Sequence, residues 1–313
     1  MGLTPNHVLK DFAMVSIRDS IFIIGGRECE KVTKVSPSDH ETPGTNISTS
    51  EKDVVIRSSV LRYDTSTGLW SQCRPLNKPR YDFACTVLEG KIYVAGGLSE
   101  LSVALGTSCA EVYDLSENKW TVLPNMSTLR YKCVGVTWQG KVYVVGGFVN
   151  KLDMDGKFNH VVRCSVETYD PRTQKWDLVA GMWKLDVPPN QIVQVEGTLF
   201  SSGDCLNAWK GHIDSYDGKL KIWNIVDGSQ MHINPSFDHG LMSIQRMYMT
   251  MAPIGTHLYF LAGYRIAEEA SRNVSMACVF DTSIKGGAWS KLEPIEEDVE
   301  KELCSHCCVV ELS

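Results

Sequence analysis

The sequence predicts an all-β chain: a propeller of four-stranded antiparallel blades with five recognisable repeats, giving five or six blades. Three observations predict it. First, a Tyr-Asp pair precedes a Trp with five residues between, at Tyr63-Asp64 to Trp70, Tyr113-Asp114 to Trp120, Tyr169-Asp170 to Trp176 and Tyr216-Asp217 to Trp223, with a looser copy at Phe280-Asp281 to Trp289. Second, apolar runs ending in small residues interleave with these pairs, at 21–26 (Gly25, Gly26), 91–97 (Gly96, Gly97), 141–147 (Gly146, Gly147), 198–204 and 257–263. Third, Trp70 to Gly96, Trp120 to Gly146 and Trp176 to Ser202 are each 26 residues apart. A fixed period marks a repeat array. It replaces the two domains that a length of 313 residues suggests with one unit, 1–313.

Each repeat divides into four strands. Strand A is an apolar stretch such as 83–88 or 133–138, and Glu89-Gly90, Gln139-Gly140 and Glu196-Gly197 follow as hairpin turns. Gly supplies the positive φ that such turns require. Strand B is the run into the Gly pair, where missing side chains allow close backbone approach. Strand C carries the Tyr. Segments such as 114–119 and 170–175 supply Asp, Pro, Ser and Asn for a turn, and strand D opens on the Trp. A four-stranded unit cannot bury both faces alone, so units stack radially with Tyr and Trp as wedges between neighbours.

Composition narrows the function classes. Hydrophobic residues make up 43% and charged residues 22%, which excludes wholesale disorder. A net charge of −6 argues against nucleic-acid binding by bulk positive charge. No apolar run approaches a membrane span, and the N-terminus lacks the pattern of a secretory signal. Eleven cysteines then read as free thiols in a reducing compartment, packed as small apolar residues. No nucleophile elbow, phosphate loop or zinc-protease helix is present. The expectation is a monomeric, non-enzymatic protein of the cytoplasm or nucleus, without a cofactor.

The Gly-Gly, Tyr and Trp pattern resembles the blades of kelch β-propellers, over nearly the whole chain. A narrower likeness, at 185–223, is to plant kelch and F-box/kelch proteins. In that family an upstream F-box couples the propeller to a ubiquitin ligase. Strand A already begins near Phe12, so the expectation here is no F-box, no BTB domain and no ligase coupling.

Strand direction alternates, so A–B and C–D turns share one face while B–C and D–A loops share the other. The B–C loops are long and dissimilar, at 27–58, 98–109, 148–162, 204–212 and 264–274, as are the D–A loops 224–245 and 290–302. Loop variation on a rigid scaffold marks a binding face. The insert 27–58 is polar enough to be read as mobile.

Arg80, Arg130 and Arg246 recur at the start of strand A in three blades, with Tyr81, Tyr131 and Tyr248 close by, whereas the fourth blade has Asp186. Two readings follow. The guanidiniums either ring the channel mouth and bind carboxylates of a partner protein or peptide with an acidic motif, or pair with neighbouring carbonyls and acids to fix the ring. Trp183, Trp209 and His212 are further anchor candidates on the same face.

The alternative function is a metal-dependent lyase. Some plant kelch proteins, the nitrile-specifier group, use an acidic-x₃-acidic-x₃-His set for iron. Asp298, Glu302 and His306 resemble that set, with the two acids exchanged. A third reading is an adaptor that competes with an F-box relative for one partner.

Overall fold

The computed structural model describes residues 6–36, 46–101, 105–152, 158–162, 164–183, 187–203, 212–226, 243–267, 272–285, 288–297 and 306–311. Strand β1 (His7–Lys10) leads into blade one, where β2 (Ala13–Ile17) and β3 (Ser20–Ile24) form its inner hairpin. Next come β4 (Arg27–Ser36) and β5 (Asn46–Ile56), then the outer strands β6 (Val60–Asp64) and β7 (Leu69–Cys73). Blade one is ordered β2-β3-β6-β7, and β1-β4-β5 is a separate sheet. The insert expected at 27–58 lies in the B–C connection of blade one, with residues 37–45 outside the described ones. Despite its polar composition, the segment doubles back as a hairpin, with β4 and β5 paired from Arg27↔Ile56 to Ser36↔Asn46, and β1 adds a third strand at His7↔Glu30. Ion pairs at its root help hold it: Arg27 contacts Asp11 and Asp53, and Arg57 contacts Glu28.

Blade two is β8 (Ala84–Leu88), β9 (Lys91–Ala95), β10 (Ala110–Asp114) and β11 (Lys119–Leu123). Blade three is β12 (Val134–Trp138), β13 (Lys141–Val145), β16 (Val166–Asp170) and β17 (Lys175–Val179), with the hairpin β14 (Phe148–Leu152) and β15 (Phe158–Val162) in its B–C connection. Blade four is β18 (Ile192–Val195), β19 (Thr198–Ser201), β20 (Asp214–Asp217) and β21 (Ile222–Ile225). Blade five has longer strands: β22 (Ser243–Ile254), β23 (His257–Ala267), β24 (Arg272–Asp281), β25 (Ala288–Lys291) and β26 (Ile295–Glu297), the last pairing with β24. The described residues thus form four four-stranded antiparallel sheets, one of five strands, one of three and one of two, without helices.

The sequence motifs have physical causes in these sheets. At the A–B turns Glu89 and Gly90 have φ of 51° and 71°, the paired positive values of a tight hairpin. A Cβ on Gly25 would stand 2.6 Å from the Arg80 carbonyl, and one on Gly96 2.8 Å from that of Arg130. The Gly pair therefore lets the next blade's backbone in. At the C–D turns, Asp64 Oδ1 accepts from the Ser66 and Thr67 amides at 3.0 Å. Asp114, Asp217 and Asp281 accept from turn amides in the same way.

Inner strands pack side by side in chain order, β2 on β8, β8 on β12, β12 on β18 and β18 on β22. Residues 306–311 lie between the last and the first. Cys307 meets Thr250 of β22 at 2.9 Å, Ser16 of β2 donates to the Val309 carbonyl, and His306 stacks on Phe12 at 4.3 Å. The sequence expectation of another strand A fits this position, although these residues are not in a hydrogen-bonded ladder.

Candidate site at the channel mouth

The starts of β2, β8, β12 and β18 and the middle of β22 line a cavity of about 710 Å³, reached also by His306 and Cys307. Its wall is set by residues just ahead of strand A. Arg80 is fully buried. Its Nη1 donates to the carbonyls of Gly96 at 2.8 Å and Cys109 at 3.1 Å, and its Nη2 donates to Glu111 at 2.7 Å. Its own carbonyl accepts from the Gly26 amide at 2.9 Å. One residue therefore fastens blade one through its backbone and blade two through its side chain. Arg130 repeats this. It is also fully buried. Nη1 donates to the carbonyls of Gly146 and Ser165, Nη2 approaches Glu167 at 3.3 Å, and the carbonyl accepts from the Gly97 amide at 2.9 Å.

The expectation that these guanidiniums line the mouth is corrected: neither borders the cavity. A buried Arg is tolerable when its charge is paired, and Glu111 and Glu167, themselves buried, supply the pairing, although Arg80 Nε has no hydrogen-bond partner. Tyr81 and Tyr131 are buried too, clustered with Leu98 and flanked by Ile56 and Phe148. Trp183 is 1% exposed; its indole donates to the Val187 carbonyl and stands edge-on to Trp223 at 5.4 Å. It is core, not an exposed anchor. Tyr248 does border the cavity. Arg246 pairs with Tyr264 across β22–β23 beside a bulge, and its side chain lies outside the described residues. So does Trp209. His212 is partly exposed, 3.7 Å from Asp214.

The groups presented to the cavity are ones the sequence reading passed over. Asp11, Asp82 and Lys132 stand two residues ahead of β2, β8 and β12. All three are left-handed, with φ of 52°, 53° and 52°, a conformation that costs a non-Gly residue energy. Their backbones are chained across blades: the Asp82 amide donates to the Asp11 carbonyl at 3.1 Å, and the Lys132 amide to the Asp82 carbonyl at 2.6 Å. Asp11 is paired with Arg27 at 2.5 Å. Burial and the charge of Asp11 push Asp82 up to about 7, against the opposing pull of Lys132 and Arg27. The sequence signal was present, in Arg-Tyr-Asp-Phe at 80–83 and Arg-Tyr-Lys-Cys at 130–133.

Catalytic chemistry finds little support here. Burial pushes the Cys85 thiol up and the Cys133 thiol up to about 11, away from the thiolate a nucleophile needs. Of the lyase set, Asp298 and Glu302 lie outside the described residues, and His306 packs against Phe12, its pKa lowered by burial. Among the described residues, no three metal-ligating side chains form a group.

Blades with a Gly pair, a Tyr-Asp strand and a Trp strand around a polar channel define a β-propeller. The kelch motif matches at residues 79–127 and 129–182, so the second and third blades are similar to kelch repeats. An F-box/kelch-repeat protein of Arabidopsis thaliana is 34% identical over 33% of this chain and 23% of its own length. Another from the same plant is 42% identical over 19% of this chain and 15% of its own length. Kelch-like protein 21 of Bos taurus is 29% identical over 31% of this chain and 16% of its own length. The alignments thus span less than a quarter of these relatives.

Proposed function

We propose that the protein is an interaction module that captures a partner protein or peptide at the channel mouth on its long-loop face. Kelch repeats generally serve protein interaction, and the chain's likeness to kelch-repeat proteins supports that coarser role. The observation that carries the finer reading is the cavity of about 710 Å³, which presents Asp82 and Lys132 on strand entries that the buried Arg80 and Arg130 clamps hold from behind. A preorganised wall lowers the ordering cost of binding. Because the arginines are used internally, the partner group facing this site is a donor toward Asp82 rather than an acidic motif. The protein acts as a scaffold and not as an enzyme, and the thiols of Cys29, Cys73, Cys85, Cys109, Cys133 and Cys278 suit a reducing cytoplasm or nucleus.

Site-specific cross-linking tests this. A photo-reactive residue at Lys132 should trap a partner from native extract, and Asp82→Arg should abolish that adduct while the fold persists by circular dichroism. The same probe at Glu89, on the opposite face, should trap nothing. Trapping from Glu89 alone, or an adduct indifferent to Asp82→Arg, would overturn the reading.

A further inference from the structure

At three successive joints the interblade contacts follow one rule. Trp120 donates its indole N–H to the Arg74 carbonyl at 2.9 Å, Trp176 to Pro124 at 2.8 Å and Trp223 to Met182 at 2.7 Å. Each acceptor belongs to the end of the preceding blade. Six residues after the Trp of that blade stands an apolar side chain, Leu76, Met126 or Met182, each 4% exposed.

At the seam between blade five and blade one both halves of this joint are exposed among the described residues. Trp70 is 56% exposed, although it stacks on Tyr63 at 5.0 Å, matching the 5.1 and 5.2 Å of its counterparts. Its neighbour Leu69 is 67% exposed, where blades two and three carry Lys119 and Lys175. Ile295, six residues after Trp289 and so the counterpart of Leu76, is 59% exposed. Residues 306–311 fill only the inner rim of the seam, through Phe12, Ser16 and Thr250.

We propose that this seam docks an extended β-segment of a partner protein, which offers Trp70 a backbone carbonyl followed two residues later by an apolar side chain. That is the pattern of Arg74-Pro75-Leu76 and Pro124-Asn125-Met126, the segments that receive Trp120 and Trp176. The ring is already held in its docking geometry, so little ordering cost remains, and a Trp seated in an apolar socket is a typical interface anchor. The site is on the outer rim, independent of the mouth reading.

The probe is a synthetic peptide of Thr121–Thr128, the chain's own socket for Trp176, added to the full-length protein. Eight tryptophans give a countable set of indole N–H resonances, and Trp70→Phe identifies one. That resonance should shift saturably with the peptide, and Trp70→Ala should weaken binding at least roughly tenfold. A scrambled peptide should leave it in place. No saturable shift up to about 1 mM peptide, or equal binding by Trp70→Ala, would overturn the proposal. So would a sedimentation profile showing that a second copy covers Trp70.

Discussion

Blades two and three are joined to their neighbours in one way, and blade four to blade five in another. In the first region a buried Arg reaches two carbonyls and a buried Glu. In the second, no counterpart of that pair is found among the described residues, and an amide does the work. Gln191 Nε2 donates to the Met251 carbonyl at 2.6 Å while its Oε1 accepts from the Met251 amide at 2.7 Å, and Asn190 donates to the Met249 carbonyl at 3.3 Å. The kelch motif matches residues 79–182 and so coincides with the Arg–Glu region. The blade survives a change of chemistry at its joint; the detectable motif does not.

Removing half of the charged joint should do the most damage. Arg130→Ala strands Glu167 without its cation, and should cost about 3–5 kcal/mol, read as a lowered midpoint in urea. Arg130→Met with Glu167→Leu should recover much of that loss. If the single and double variants are equally unstable, the two joints differ in packing rather than charge.

The amide joint should be weaker. Gln191→Ala leaves the Met251 amide and carbonyl unpaired and should cost about 1–3 kcal/mol. Hydrogen exchange at Met251 should rise while exchange in blade two stays unchanged. A loss as large as that of Arg130→Ala would erase the distinction.

The smallest effect concerns Asp82, beside the charged joint. An acid whose pKa is raised to about 7 in the folded state keeps its proton there after the unfolded chain, near 3.9, has lost it. Its contribution to stability is therefore greatest below about pH 4 and is lost as pH rises through about 7. Asp82→Asn should flatten that slope and raise stability at pH 8 by about 1 kcal/mol, measured by urea unfolding at pH 5 and pH 8. Asp11, Lys132 and Arg27 face the same carboxyl, and an unchanged slope would show that Asp82 does not titrate in this range.

Much of the fold was legible, because Gly25, Gly96 and the Tyr-Asp-to-Trp spacing each answer a local steric demand. The site was legible in position but not in exposure. Arg80 and Arg130 were found by spacing, yet their burial depends on Glu111 and Glu167, which lie 31 and 37 residues further on. A signal existed: both acids stand two residues before the blade's Tyr, where blade one has Leu61 and blade five Cys278 before Phe280. The strands at 27–58 were not legible from composition, because backbone pairing in a long hairpin does not require apolar side chains.

The contact of Ser16 with Val309 joins residues 293 apart in sequence. During synthesis the first blades can collapse as each leaves the ribosome, but the inner rim between blade five and blade one stays open until residues near 309 have emerged. A contact of such separation forms late, since loop closure must precede its reward. The nascent chain therefore passes through an interval with Phe12, Ser16 and the inner strand of blade one unshielded on one flank. A chaperone has its natural window there.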